Sequence, residues 1–312
     1  MTARTTIRRL LAMIPALIGA SVIAFALGVM APGDPAYMAL SQSAMGEPRP
    51  EAVQELRQKW GLDDPVPVQY VKWLGRVLRG DLGVSYYSGY AVTDELLQRL
   101  PATVLLATVA TTLAVVVGVL TGVFAALFAG SSVDGLLRVS TVLVASLPGF
   151  LIGLLLILVF AEVLGVLPTS GYGTWSHVLL PSATLATGPA AQLLRVTRTQ
   201  MIDVLRQDFM RTARSKGLHP SVVAIRHGLQ NALINVLTVV GLYLAAILGG
   251  AAIIETVFAW PGIGRLAIES ITRRDYPVVQ GFVLMTALIY VLVNFAVDTL
   301  YSVIDPRVRV GA

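Results

Sequence analysis

Long uncharged runs dominate this chain. About 20 apolar residues suffice for a helix to cross roughly 30 Å of hydrocarbon. Six stretches approach or exceed that length: 10–30, 101–133, 139–161, a shorter 178–194 that carries Pro181 and Pro189, 231–254, and 277–297. Hydrophobic residues make up 55% of the 312 and charged residues only 13%, about half of what an ordinary soluble domain carries. The reading is an all-α membrane protein with six transmembrane helices and both termini on one side.

Residues 10–30 follow Arg4, Arg8 and Arg9, and Ala24-Phe25-Ala26 resembles a cleavage site. The apolar run exceeds the usual 7–15 residues of a signal peptide, and more spans follow, so an uncleaved first span is expected. Lys and Arg set orientation. The N-terminal tail, the turn at 130–138, the segment 195–230 and the C-terminal tail together hold thirteen of them, whereas the short loops on the other side hold only Arg265, Arg273 and Arg274. The basic side, with both termini, is expected in the cytoplasm.

Other chemistries are excluded by what is missing. There is no Cys, so disulfides, thiolate metal sites and a Cys nucleophile are ruled out. Three His (His177, His219, His227) make a His metal cage improbable. Five of the six spans lack ionisable residues and the fourth has only His177 at its edge, which disfavours a proton-coupled carrier or a voltage sensor. No span offers an H-E-x-x-H or G-x-S-x-G arrangement, and no phosphate-binding G-x-x-x-x-G-K-[ST] loop exists. The chain is not expected to be an enzyme, to bind nucleic acid or to hold a cofactor; any ATP use belongs to another polypeptide. Breakers are frequent in the spans: Pro148-Gly149, Gly153, Gly188-Pro189, Gly241 and Gly249-Gly250. They fit either close helix packing or helices that move about a pathway.

Two polar stretches carry structure signals. In 31–100, Pro50 can open a helix with Val53, Leu56 and Trp60 on one face and Gly61 as its stop. A second amphipathic piece spans 67–79, with Tyr70, Val71, Leu74, Val77 and Leu78 on one side. This segment either packs on the outer ends of the spans or docks an extracellular partner. In 201–218, Met201, Ile202, Leu205, Phe209 and Ala213 form one helical stripe, Gly217 is a stop, and Pro220 can begin another short helix. Such a helix–corner–helix on the basic side either rests on anionic lipid or passes a push from a soluble partner into the spans.

The string DFMRTARSKGL at 208–218, followed by RHGLQNAL at 226–233, resembles the cytoplasmic coupling loop of binding-protein-dependent ABC importer permeases, within the dipeptide/oligopeptide branch its B-type membrane subunit. The likeness runs through nearly the whole chain: PGDPA at 32–36, GLDDP at 61–65, VQY at 68–70, RGDLG at 79–83, RLPAT at 99–103, ETVFAWPGIGR at 255–265, RDYPVVQG at 274–281 and DPR at 305–307.

The resemblance implies a type I ABC importer permease fold. Residues 1–94 would hold the first span and an extracytoplasmic helical segment, and 95–305 the importer transmembrane domain, with the coupling loop at about 195–230. The subunit would lie in the bacterial cytoplasmic membrane, surrounded by membrane lipid. It would pair with a homologous second permease and with two ATPase subunits, separate or fused, that carry ATP and Mg. An extracytoplasmic solute-binding protein would deliver di- or oligopeptides, or else nickel, glutathione or another small solute. An ATP-independent channel or carrier is the alternative of a different class. Residues implied in ATPase coupling are Asp208, Phe209, Arg211, Thr212, Ala213, Arg214, Lys216 and Gly217. Gly217 aligns with the Gly of the class's Glu-Ala-Ala motif, which places Arg211-Thr212-Ala213 at those three positions. The Glu is absent, and Arg211 favours an acidic or carbonyl-lined groove instead. Gln230 and Asn235 stand where many members have Pro. Glu255, Trp260, Pro261 and Gly262 are candidates for an outer gate or a binding-protein contact.

Overall fold

The computed structural model describes residues 3–30, 32–43, 47–215, 222–230, 236, 240–241, 243, 247 and 251–304, and these are helical apart from turns and one isolated Val84–Ala91 bridge. The helices are α1 (Ala3–Val29), α2 (Pro35–Ser43), α3 (Pro50–Trp60), α4 (Val66–Val77), α5 (Val92–Leu127), α6 (Ser132–Ser146), α7 (Gly149–Leu156), α8 (Trp175–Leu205), α9 (Asp208–Ser215), α10 (Ala252–Val257), α11 (Ile263–Arg273) and α12 (Tyr276–Ile304). π-helical stretches occupy Ile157–Val163 and Val223–Leu229.

Among the described residues α1, α5 and α12 are long and apolar enough to cross a membrane. The expected third span is not one straight helix. It breaks at Leu147-Pro148, and the halves Ser132–Ser146 and Gly149–Val163 meet at 105°; counted together they make a fourth crossing. Proline lacks the N–H that a continuous helix needs and holds the residue before it extended, so the break falls there. The expected fourth span lies inside the longer α8, which runs unbroken through Pro181 and Pro189. Ser182, Thr184 and Thr197 are buried along it, so protein rather than lipid surrounds that face. Most of the expected fifth span lies outside the described residues.

The chain divides into two compact units. The first comprises 104–260 and 292–312. Its centre is the packing of α5 on α8, where Gly118 and Gly122 bring two backbones together: a Cβ on Gly122 would stand 2.8 Å from the Leu194 carbonyl oxygen, and one on Gly118 2.8 Å from that of Ala190. Lipid tails are as apolar as Leu, so helices associate in membranes through such close contact rather than by expelling water. Around this contact Ala114, Val119, Ala186, Leu193 and Val236 form a buried cluster. Of the breakers noted above, Gly153 faces Thr184 and Phe258, and Gly241 faces Val297, so both serve close packing.

The second unit comprises 2–103 and 261–291. Gly61 takes the left-handed conformation (φ 66°) and ends α3 as expected. On α4 the packed face differs from the expected stripe. Tyr70 and the buried Trp73 meet Phe25 of α1 with ring centroids 5.3 and 5.5 Å apart, whereas Val71 and Leu78 are exposed. Edge-on and tilted ring contacts hold α4 against α1. Asp34 caps α2 by accepting from the Ala36 N–H at 2.9 Å and pairs with Arg57 at 2.5 Å.

Candidate functional site

The candidate coupling segment is built on the end of α8. A turn at Arg206-Gln207, closed by the Gln207 N–H donating to the Val204 carbonyl at 3.0 Å, separates α8 from α9. The single stripe expected over 201–218 is therefore split. Met201 and Leu205 belong to α8, while α9 turns a different face inward: Met210 and Ala213 pack with Val204 and with Val223 of the following π-helical stretch. Phe209, expected in the stripe, is 41% exposed. After the two-residue turn the helical phase restarts, so Met210 takes the inward position. Asp208, Phe209 and Thr212 are exposed, which leaves α9 held by one face and open on the other. Lys216, Gly217 and Pro220, and the side chains of Arg211 and Arg214, lie outside the described residues.

Of the outer candidates, Glu255 and Trp260 belong to the first unit, and Pro261 and Gly262 to the second. Glu255, in α10, and Trp260 are both fully buried. The Trp260 N–H donates to the Glu255 carbonyl at 2.7 Å and closes a tight turn in which Ala259 has φ 49°. A loop closes over this turn: the Gly171 N–H donates to the Phe258 carbonyl at 2.9 Å, and the Tyr172 ring meets the Trp260 ring edge-on at 4.8 Å. In the second unit Gly262 is the extended residue before α11, and the Ile263 N–H donates to Thr103 Oγ1 at 2.9 Å. Gly262 is buried and Pro261 half-buried.

Three arrangements escaped the sequence reading. Asp134, in the first turn of α6, is fully buried; it accepts from Arg198 Nε at 2.6 Å and Nη2 at 2.8 Å and from the Gly130 N–H at 3.1 Å. This fork ties the start of α6 to the half of α8 that leads to α9. A lone carboxylate beside a span was its only sequence signal. Asp275 accepts from Ser85 Oγ at 2.5 Å and from the Tyr86 N–H at 3.0 Å, so RDYPVVQG is tied to the Ser85-Tyr86 turn that follows RGDLG, about 190 residues away. The third is Gly118 and Gly122, whose G-x-x-x-G spacing was legible but unread.

This architecture, of packed apolar helices with a short helix held on the end of one of them, has counterparts among solved structures. The fold matches the MetNI methionine ABC transporter in inward facing conformations, in a native crystal form and a SeMet soak. The TM-scores are 0.55 and 0.56 and the identities 16% and 18%; 67% and 68% of this chain and 96% of that one are covered. Residues 118–310 match the family described as binding-protein-dependent transport system inner membrane component, and residues 2–107 match its N-terminal counterpart. The chain belongs to this family. Similar proteins include the glutathione transport system permease protein GsiC of Pectobacterium atrosepticum, 42% identical over 97% of this chain and 98% of that one, and GsiC of Escherichia coli K12, 41% identical over the same shares. The protein is thus a permease subunit of an ABC importer, an inner membrane component with several membrane-spanning helices, and its relatives are transporter subunits rather than enzymes.

Proposed function

We propose that this subunit carries small peptides, glutathione first among them, inward across the cytoplasmic membrane. It does so through six spans with both termini in the cytoplasm, beside a homologous second permease. Two ATPase subunits supply ATP and Mg chemistry from inside, and a solute-binding protein delivers cargo outside. The observation that carries the reading is the near full-length likeness to permeases named for glutathione transport. Glutathione is itself a tripeptide, so it and the broader peptide cargo are one chemical class.

In this reading α9 is the docking helix. Met210 and Ala213 anchor it, and Asp208, Phe209 and Thr212 meet the ATPase. Arg211, Arg214 and Lys216 add positive charge suited to an acidic or carbonyl-lined groove, and Gly217 is the residue type suited to a helix stop. ATP-driven closure of the ATPases moves α9, and the rigid α8 passes that motion to the spans between two discrete packings. The full burial of Glu255 and Trp260 favours a closed outer gate over a direct binding-protein contact.

The test is ATP-dependent uptake of labelled glutathione by proteoliposomes holding all subunits. Uptake should vanish without ATP and fall at least tenfold in Gly217→Val. Glutathione uptake by this chain alone would refute the coupled mechanism.

A further inference from the structure

The first unit holds a recess of about 360 Å³ between α6 and α8, lined by Arg138, Thr141, Val142, Leu194, Arg195, Arg198 and Thr199. Its charges do not cancel. Three arginines border it; Arg138 and Arg198 share one carboxylate, Asp134, which Arg198 already holds in a two-pronged bond. Arg138 stands 3.7 Å from Asp134 with its side chain 60% exposed, and Arg195 is exposed. No acidic residue lines the recess, so it carries a positive surplus. Its walls are almost wholly apolar, and its two hydroxyls bond to their own helices, Thr141 to the Leu137 carbonyl and Thr199 to the Arg195 carbonyl, so the exposed Arg138 and Arg195 are the polar groups left to reach a ligand there.

The apolar half of the feature continues from the cationic half. Along α6, beyond Arg138, Val139, Val142 and Leu143 are 57%, 62% and 60% exposed and lie side by side on the helix surface. An apolar recess bordered by exposed arginines and continued by an exposed apolar stripe matches an amphiphile, not a free ion. In a membrane protein the abundant amphiphile is lipid, and basic pockets between helices on the cytoplasmic side take anionic headgroups.

We propose that this recess seats an anionic phospholipid, with the exposed Arg138 and Arg195 as ligands of its phosphate and the acyl chains along Val139, Val142 and Leu143. Arg198, held by Asp134, is part of the wall. The lipid leans on the same two helices that Asp134 and Arg198 join, so it fastens the start of α6 to the α8 segment that precedes α9. The leaflet rests on the cytoplasmic assignment of the basic side; the binding itself does not.

The test uses the full chain with whatever subunits co-purify, delipidated in mild detergent and titrated with short-chain phosphatidylglycerol or phosphatidylethanolamine, with bound lipid counted by native mass spectrometry. No ATP or cargo is present, so a failure of the transport reading leaves the result intact. Phosphatidylglycerol should bind in preference. The paired substitution Arg138→Gln and Arg195→Gln should cut that preference by roughly twentyfold, Arg138→Lys with Arg195→Lys should retain most of it, and Arg206→Gln, off the recess, should leave it unchanged. Equal binding of the two lipids by the unaltered chain, a measurement that needs no variant, overturns the proposal. So does an unchanged preference in the paired Gln variant. Displacement of phosphatidylglycerol by inorganic phosphate at low millimolar concentration would assign the recess to a free anion, and would also overturn it.

Discussion

Adding one methyl group at Gly122 should destabilise the protein, while the same change at Gly135 should stabilise it. Two opposed effects decide the sign. Glycine in a helix interior is less favourable than alanine by about 0.5–1 kcal/mol, so Gly→Ala gains that much where space is free. Overpacking a tight contact costs about 1–3 kcal/mol. At Gly122 the new Cβ would lie 2.7 Å from Thr197 Cβ and 2.8 Å from the Leu194 carbonyl oxygen, well inside van der Waals contact. The oxygen is backbone, so no rotamer change relieves the clash and α5 must move off α8. At Gly135 nothing stands within 4 Å. The expected net effects are a loss of about 1–2 kcal/mol for Gly122→Ala and a gain of about 0.5–1 kcal/mol for Gly135→Ala. Thermal unfolding of the purified chain in mild detergent reads this as midpoints that move in opposite directions by about 2–4 °C. A rise for both variants would show that α5 and α8 are not packed backbone to backbone, and the account of the first unit's centre would fall.

Asp275→Ala removes the acceptor for the Ser85 hydroxyl and the Tyr86 N–H; the loss should be about 2–3 kcal/mol, read as faster proteolysis within 84–91. Burial, and secondarily Asp275, raises the Tyr86 pKa above its ordinary value, so the folded state holds the proton more tightly than the unfolded chain. That contribution is complete below about pH 10 and is lost as pH climbs beyond it. Tyr86→Phe should therefore match the parent at pH 7, with its ring still placed to stack on Trp60 at 5.5 Å, and should show a shallower loss of stability in alkali. Asp134→Ala and Arg198→Ala should each lower the unfolding midpoint, and the double variant should lose no more than the worse single one, because each single change strands the other's charge; simple additivity would show that the two do not act as a pair.

The sequence by itself determined the solvent and the element type. Uncharged runs longer than 20 residues leave the backbone no partner but itself, so the helices found over 10–29, 101–127 and 277–297 followed without any tertiary knowledge, whereas the stop of α5 at Leu127, short of the expected 133, did not. Gly61, with its φ of 66°, stopped α3 for an equally local reason. The coupling segment was legible through its motif. What escaped depended on contacts between distant residues. Whether Phe209 or Met210 points inward depends on a two-residue turn that resets the helical phase, and periodicity carries no information across such a break. The 105° bend at Pro148 and the unbroken passage of α8 through Pro181 and Pro189 have the same local cause with opposite outcomes, and only the surrounding protein decides which. Asp134 and Arg198 lie 64 residues apart, and Ser85 and Asp275 lie 190 apart. Each sequence position shows one charge or one hydroxyl; the fold alone brings the partner that makes its burial affordable.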